Sequence, residues 1–172
     1  MMKAVVVYES HWGNTAAIAR AVAEGIAEGT PALSTSEAGA EALAGVELIV
    51  AGSPLLGFAL PSETMVKGLS AETSRGAPPV DLTHPPMRVW LDALPSAHGC
   101  AAAFETRIWW SPGSAAKAIL RKLDERGYHQ LAAARPFIVT GKYGPLREGE
   151  IEAARAWGAE LARLLLAQER VK

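Results

Sequence analysis

Short apolar runs alternate with longer segments of helical spacing along this chain, and that order limits its fold more than any other feature. The first run, KAVVVY at residues 3–8, is continuously apolar, which is typical of a strand buried on both faces of a sheet. Further runs lie at residues 32–34, 46–52, 99–106 and 135–141, with helix-spaced segments between them. Strands joined through helices lie parallel, with helices on both faces of the sheet. The sequence therefore predicts a three-layer α/β domain with a doubly wound, five-stranded parallel sheet.

Local signals mark the ends of the predicted elements. Gly29 follows the first helix-spaced segment as a stop signal. Ser111 followed by Pro112 predicts the start of a later helix, because serine caps a helix and proline suits its first position. Pro136 lacks an N–H donor, which indicates that the last strand lies at an edge of the sheet. Other helices are expected near residues 37–43, 62–69, 86–94 and 151–165.

Composition excludes several classes of protein. The 172 residues suit one domain, and a net charge of −1 gives no sign of a nucleic-acid partner or an anionic membrane surface. No apolar stretch approaches the ~20 residues of a membrane span and no signal peptide is visible, so we expect a cytoplasmic protein. The only cysteine, Cys100, lies in an apolar run and is interpreted as a buried structural thiol.

The loop after the first strand reads YESHWGNT and has the composition of an anion site. Such sheets bind ligands beyond the carboxyl ends of their strands. Ser10, Asn14 and Thr15 offer donors, and Gly13 lets the backbone approach a ligand. No lysine or arginine occurs from residue 9 to 15 and neither GxxxxGK[ST] nor GxGxxG is present, which leaves a site for one phosphate monoester. The equal alternative is that Ser10 and Asn14 only cap the following helix.

The loop after the third strand, GSPLLGFALPS, is apolar and turn-rich. Leu55, Leu56 and Phe58 are expensive to expose in such a turn, so they are interpreted as one wall of a slot for a flat ring. In the alternative interpretation they pack onto a neighbouring helix.

The loop after the fourth strand carries two adjacent tryptophans, Trp109 and Trp110. They cannot both face the core, so at least one is expected to stack on a ligand or partner. Arg107 is expected to pair with Glu105 or to contact an aromatic ring. The alternative is that one tryptophan fills the gap between the loop and the next helix.

Other chemistry has little support. His11, His84, His98 and His129 lack the spacing of metal ligands, so no metal site is predicted. His11 is expected to face solvent, with a hydrogen bond to a ligand phosphate as the less common outcome. No GxSxG nucleophile motif occurs, and no catalytic residue is predicted.

These loops resemble those of the flavodoxin family. The family's phosphate loop runs roughly T/S-x-T-G-N-T, which SHWGNT at residues 10–15 matches except at one hydroxyl position. VELIVAGSP resembles the family's third strand and the start of its ring loop, and AAAFETR, GPLREGE and ARAWGAEL resemble flavodoxin-like proteins common in high-GC bacteria. The resemblance implies one flavodoxin-like domain over residues 1–172, strand order 2-1-3-4-5, and a variable loop at residues 71–86.

The resemblance implies FMN as a non-covalent cofactor, with its phosphate on the first loop and its ring between the two later loops. Trp12 stands where the family has a hydroxyl residue, which removes one side-chain donor to the phosphate. The family's Trp and Tyr ring sandwich is not matched position for position, so an apolar residue of the third-strand loop would cover one side of the ring and a tryptophan the other. The implied cofactor-binding residues are Ser10, His11, Trp12, Gly13, Asn14, Thr15, Ser53, Pro54, Leu55, Leu56, Gly57, Phe58, Thr106, Arg107, Ile108, Trp109 and Trp110.

The expected function is therefore electron transfer through bound FMN, with a redox partner protein or a small-molecule acceptor such as a quinone. The net charge of −1 differs from the strongly acidic electron shuttles of the family. The alternatives are a flavodoxin-fold module that has lost FMN and an NAD(P)H-linked FMN reductase, although no nicotinamide motif is recognisable. The oligomeric state, monomer or homodimer, is left open.

Overall fold

A computed structural model describes residues 2–171 and confirms the alternation of strands and helices. The strands are β1 (Ala4–Tyr8), β2 (Ala32–Ser34), β3 (Leu48–Pro54), β4 (Gly99–Arg107), β5 (Tyr128–Gln130) and β6 (Arg135–Ile138). The helices are α1 (Asn14–Ile26), α2 (Ala40–Leu43), α3 (Glu63–Ser74), α4 (Met87–Ala93), α5 (Ala115–Glu125) and α6 (Glu150–Glu169).

The sheet is parallel throughout, in the order β2-β1-β3-β4-β5, which confirms the predicted order 2-1-3-4-5. The fifth position is divided between two short strands. Tyr128 of β5 pairs with Gly99 at the start of β4, whereas Arg135 of β6 pairs with Phe104 further along it. Sequence reasoning missed β5 because YHQ carries no apolar pattern. Pro136 lies in β6, which pairs with β4 alone, as expected of an edge strand.

Two apolar clusters cover the two faces of the sheet, because successive side chains of a strand point to opposite faces. Val5 and Val7 of β1 belong to the cluster under α4 and α5, together with Leu91 and Ile119. Val6 belongs to the cluster under α1 and α6. The two layers of helices leave the carboxyl ends of the strands uncovered by helix, and the loops there are free to build a site.

Helices α1 and α6 cross at glycines. A Cβ at Gly25 would lie 2.0 Å from the carbonyl oxygen of Arg155, and one at Gly158 would lie 2.2 Å from that of Val22. The two backbones therefore touch. This contact fixes α1, whose N-terminal end faces the carboxyl edge of the sheet.

Several predicted boundaries differ from those of the structure. Helix α5 begins at Ala115 and not at Ser111–Pro112, because Ser114 is its cap and accepts from the backbone N–H of Lys117 at 3.1 Å. The last strand ends at Ile138, since residues 139–146 form a hairpin joined by a Val139–Leu146 bridge. Residues 71–74 belong to α3, so the irregular connection begins at residue 75. Within residues 2–171, no helix is both long and apolar enough to cross a membrane.

Candidate functional site

One cleft at the carboxyl edge of the sheet brings the three predicted loops together. The space within it that the centre of a water molecule can occupy is about 60 Å³, and the cleft opens to solvent. From the predicted set it is lined by Ser10, His11, Trp12, Asn14, Thr15, Pro54, Leu55, Leu56, Thr106, Arg107 and Ile108, and beyond that set by Ser111, Val139 and Lys142. Gly13, Ser53, Gly57, Phe58, Trp109 and Trp110 lie outside this lining.

The side chains of the 10–15 loop are held by neighbouring elements. The Ser10 hydroxyl oxygen accepts from the backbone N–H of Ala16 in the first turn of α1 at 3.2 Å, although the N-cap residue of this helix is Gly13. The Asn14 side chain instead donates to the carbonyl of Tyr143 at 3.1 Å. The Thr15 and Thr106 hydroxyl oxygens lie 2.8 Å apart, which ties the loop to the end of β4.

The backbone of this loop forms a nest of N–H donors. Gly13 lies in the left-handed region, at φ 88°, directly before α1. Among residues 2–171, no acceptor contacts the backbone N–H groups of residues 12–15. Successive free N–H groups at a helix N-terminus form a concave site for one anion.

Trp12 contributes a further donor. Its indole nitrogen Nε1 is buried and has no hydrogen-bond partner among the described residues. Trp12 lacks the hydroxyl donor that the resembling flavodoxin loop has at this position, but its indole N–H is itself a donor.

The replacement therefore changes the kind of donor at this position and keeps a donor there.

The 139–146 hairpin closes over the loop, and sequence reasoning did not assign it to the site. Tyr143 meets the Trp12 ring edge to face, with 4.9 Å between the ring centroids, and its hydroxyl donates to Glu72 at 2.8 Å. Lys142 lines the cleft and pairs with the same carboxylate. The strand order alone could have assigned this hairpin to the site, because the loop after the last parallel strand lies at the same edge of the sheet as the other ligand loops.

The 10–15 loop takes part in a buried polar network, and the expectation that His11 faces solvent is wrong. His11 is 2% exposed, and its Nε2 lies 2.7 Å from a carboxylate oxygen of Glu9. Its Nδ1 lies 2.8 Å from the carbonyl oxygen of Asp81. The burial arises because residues 81–87 cross over the loop and bond to it. No group of three or more His, Cys, Asp or Glu within residues 2–171 is arranged to hold a metal ion.

His84 completes this network from the crossing segment. Its Nε2 accepts from the backbone N–H of Ser10 at 3.0 Å, and its ring stacks on that of His11. Burial lowers the pKa of His11, but the hydrogen bonds to Glu9 and to the Asp81 carbonyl outweigh it and raise the pKa overall. Burial and then the charge of His11 lower the pKa of His84. The geometry agrees, since both nitrogens of His11 face acceptors and one nitrogen of His84 must itself accept.

The two later loops form the apolar part of the cleft. The backbone N–H of Leu55 donates to the carbonyl of Thr106 at 2.9 Å, which joins these loops. Leu55 also packs against the apolar cluster under α4 and α5, while Leu56 and Ile108 line the cleft. Arg107 pairs with Glu105, as expected, and also donates to the carbonyl of Gly113 at 2.8 Å.

Three large aromatic side chains stand beside the cleft. Phe58, Trp109 and Trp110 are 67%, 74% and 64% exposed, so neither tryptophan fills the gap between its loop and α5. Phe58 has φ 73°, a conformation that bulky residues rarely adopt, in a tight turn closed by the Leu56–Ala59 bridge.

Solved structures share this fold over nearly the whole chain. A flavodoxin from the domain Archaea is 23% identical, covers 96% of this chain and 99% of its own, and gives a TM-score of 0.65. The oxidised Flavodoxin 1 of Bacillus cereus is 21% identical over 94% of this chain and 97% of its own, also with a TM-score of 0.65. A flavodoxin, WrbA-like protein from Agrobacterium tumefaciens is 22% identical over 97% and 99%, with a TM-score of 0.61. No protein-family model and no curated protein matches the chain by sequence. The chain has the flavodoxin-like fold.

Proposed function

We propose that this chain is a redox protein that transfers electrons through non-covalently bound FMN. The observation that carries the proposal is a single cleft lined both by the 10–15 loop, in which the backbone N–H groups of residues 12–15 have no acceptor among the described residues, and by apolar side chains of the two later loops. That division suits a phosphate monoester joined to a flat apolar ring. The archaeal and Bacillus proteins of the same fold are flavodoxins, which supports the same ligand class here.

Each part of the cleft has a separate task in this proposal. The free backbone N–H groups of residues 12–15 bind the phosphate. Leu55, Leu56 and Ile108 exclude water from the ring. When bound, FMN supplies the electron-transfer chemistry, so no side chain needs to act as nucleophile or base.

The surroundings of the cleft favour a small, uncharged electron acceptor such as a quinone. Residues 52–62 and 108–116 contain no charged side chain, and Phe58, Trp109 and Trp110 are exposed there. The whole chain has a net charge of only −1, so electrostatic steering of a charged partner protein is weak. A cytoplasmic location is part of the proposal, on the ground of the sequence.

Titration of the apoprotein with FMN tests the proposal. We expect the purified protein to show flavin absorption bands, or the apoprotein to quench FMN fluorescence at a one-to-one stoichiometry. Addition of NAD(P)H then separates a carrier from a nicotinamide-linked reductase, because only the reductase bleaches the flavin directly. FMN that keeps its full fluorescence beside excess apoprotein would contradict the proposal.

That negative result would favour the second candidate, a binding module without a cofactor. One observation speaks for this candidate: the Trp12 ring and the Asn14 side chain both contact Tyr143, so the phosphate end of the cleft is already in contact with the hairpin.

A further inference from the structure

We infer that the indole N–H of Trp12 donates a hydrogen bond to the phosphate of FMN and gives the cleft its preference for FMN over riboflavin. The inference rests on the proposed function and deepens it, because it assigns selectivity for the phosphorylated flavin to one named atom. Trp12 stands at the position where the phosphate loop of the flavodoxin family has a hydroxyl residue.

The indole nitrogen of Trp12 is an unsatisfied donor. The Nε1 of Trp12 is buried and has no partner among residues 2–171. Buried donors are nearly always hydrogen-bonded, so such an exception needs an explanation. The Nε of Arg88 is also without a partner, but its guanidinium still donates through Nη2 to the carbonyl of Leu60 at 2.7 Å. The Trp12 side chain has only one polar atom, and that atom has no partner among the described residues.

The Trp12 ring is held in place by two neighbouring aromatic side chains. Tyr143 meets it edge to face at 4.9 Å, and His11 meets it edge to face at 6.1 Å. Tyr143 is itself fixed, since its hydroxyl donates to Glu72 and its carbonyl accepts from Asn14. The indole therefore keeps its orientation without an acceptor, as a preorganised binding group does.

The Trp12 side chain lines the cleft together with other donors of the 10–15 loop. Trp12 lines the same cleft as Ser10, Asn14 and Thr15, and it directly precedes the left-handed Gly13 of the nest. An indole nitrogen donates and never accepts, so its partner must be an acceptor. The ligand end that meets this group and the free backbone N–H groups must therefore be rich in acceptors. A phosphate monoester meets that requirement, whereas the terminal hydroxyl of riboflavin offers a single oxygen.

The decisive experiment compares FMN and riboflavin binding in Trp12→Phe, which removes the N–H and keeps an aromatic ring. We expect FMN to bind about 10- to 100-fold more weakly, as for loss of a hydrogen bond to a charged group, and riboflavin affinity to change less than about twofold. Trp90→Phe is the matched control, since it removes an indole N–H that donates to the carbonyl of Ala38 outside the cleft lining, and it should leave the ratio of the two affinities unchanged. Circular dichroism checks that each variant is folded.

A second measurement on the unaltered protein keeps the test valid if Trp12→Phe does not fold. Nuclear magnetic resonance resolves the five indole N–H signals, and inorganic phosphate should shift that of Trp12 far more than that of Trp90, whose N–H already donates to the carbonyl of Ala38. An equal loss of FMN and riboflavin affinity in Trp12→Phe, or a Trp12 signal that phosphate leaves in place, would overturn the inference while flavin binding stands. An unaltered protein that binds neither flavin would overturn the proposed function as well.

Discussion

Two buried histidines, one in the 10–15 loop and one packed against it, have pKa values shifted in opposite directions. The folded state favours protonated His11, whose ring nitrogens face Glu9 and the Asp81 carbonyl, and its pKa is raised. The folded state favours neutral His84, because burial and the nearby His11 lower its pKa and because Nε2 accepts from Ser10. Asp81 and Glu9 partly oppose the shift of His84.

The sign of each contribution follows from proton counting. Below its ordinary pKa of about 6.5, His84 is protonated in the unfolded chain but still neutral in the fold, so its contribution to stability is lost as pH falls from about 7 towards the lowered folded pKa. The contribution of His11 is complete below about 6.5 and is lost as pH rises through its raised folded pKa.

We therefore predict that His84→Gln flattens the acid side of the stability profile. The amide oxygen of glutamine can still accept from Ser10 but does not take up a proton. The unfolding free energy of the unaltered protein should fall more between pH 7 and pH 5 than that of His84→Gln, measured by urea denaturation at each pH. The exposed His98→Gln is the control and should follow the unaltered protein. Parallel curves for His84→Gln and the unaltered protein would contradict the prediction.

Sequence patterns indicated which loops form the cleft but not how their residues are bonded. Ser10, Asn14 and Thr15 were identified because donors beside a glycine at a helix start suit an anion. The burial of His11 was not predictable, because it depends on residues 81–87 crossing from a distant connection. A segment without regular structure leaves no periodic pattern to show where it packs.

At the scale of elements, the contact between α1 and α6 decides where the N-terminal end of α1 lies. The backbones meet at Gly25 and Gly158, and a Cβ at either position would overlap a carbonyl oxygen of the facing helix. These glycines are therefore required for close approach and not for a special backbone conformation, since both lie within helices.

We predict that Gly158→Ala destabilises the protein by about 1–3 kcal/mol, because the two helices must separate to admit the methyl group. Gly68→Ala is the matched control. Gly68 lies within α3 and a Cβ there would contact nothing within 4 Å, so that change should stabilise by about 0.5–1 kcal/mol. Urea denaturation of both variants measures the difference. A neutral Gly158→Ala would show that the helices are not tightly coupled.

The predicted elements that proved correct carry strong local patterns, and those that did not are set by tertiary contacts. Strands β1, β3 and β4 are nearly continuous apolar runs, and α1 has a clear period. Helix α5 starts later than Ser111–Pro112 because Gly113 has a left-handed backbone conformation, at φ 85°. Gly113 also lies so close to the loop after β3 that a Cβ there would overlap the carbonyl oxygen of Phe58. No local signal reports that contact.

At the scale of the whole molecule, the walls of the cleft are already joined. Thr15 bonds to Thr106, Leu55 to the carbonyl of Thr106, and Asn14 to the carbonyl of Tyr143. A ligand that enters such a cleft binds the native state without ordering much additional chain.

We predict that FMN at 100 times its dissociation constant raises the unfolding free energy by about 2.7 kcal/mol and leaves the denaturant m-value unchanged. The m-value reports the surface exposed on unfolding, so it responds only if binding folds extra residues. Urea denaturation with and without FMN measures both quantities. A larger m-value with FMN would show that the cleft is assembled by the ligand.

The divided fifth position of the sheet also bears on how copies of this chain behave at high concentration. A long, continuous sheet edge offers unpaired N–H and C=O groups that can recruit strands of other molecules into aggregates. Here the two edge strands beyond β4 are three and four residues long, and residues 131–134 interrupt them. Pro136 also lacks the N–H that a further strand would require. On the opposite side, β2 is three residues long. Both margins of the sheet are thus poor templates for intermolecular strand pairing, which favours solubility during synthesis and folding.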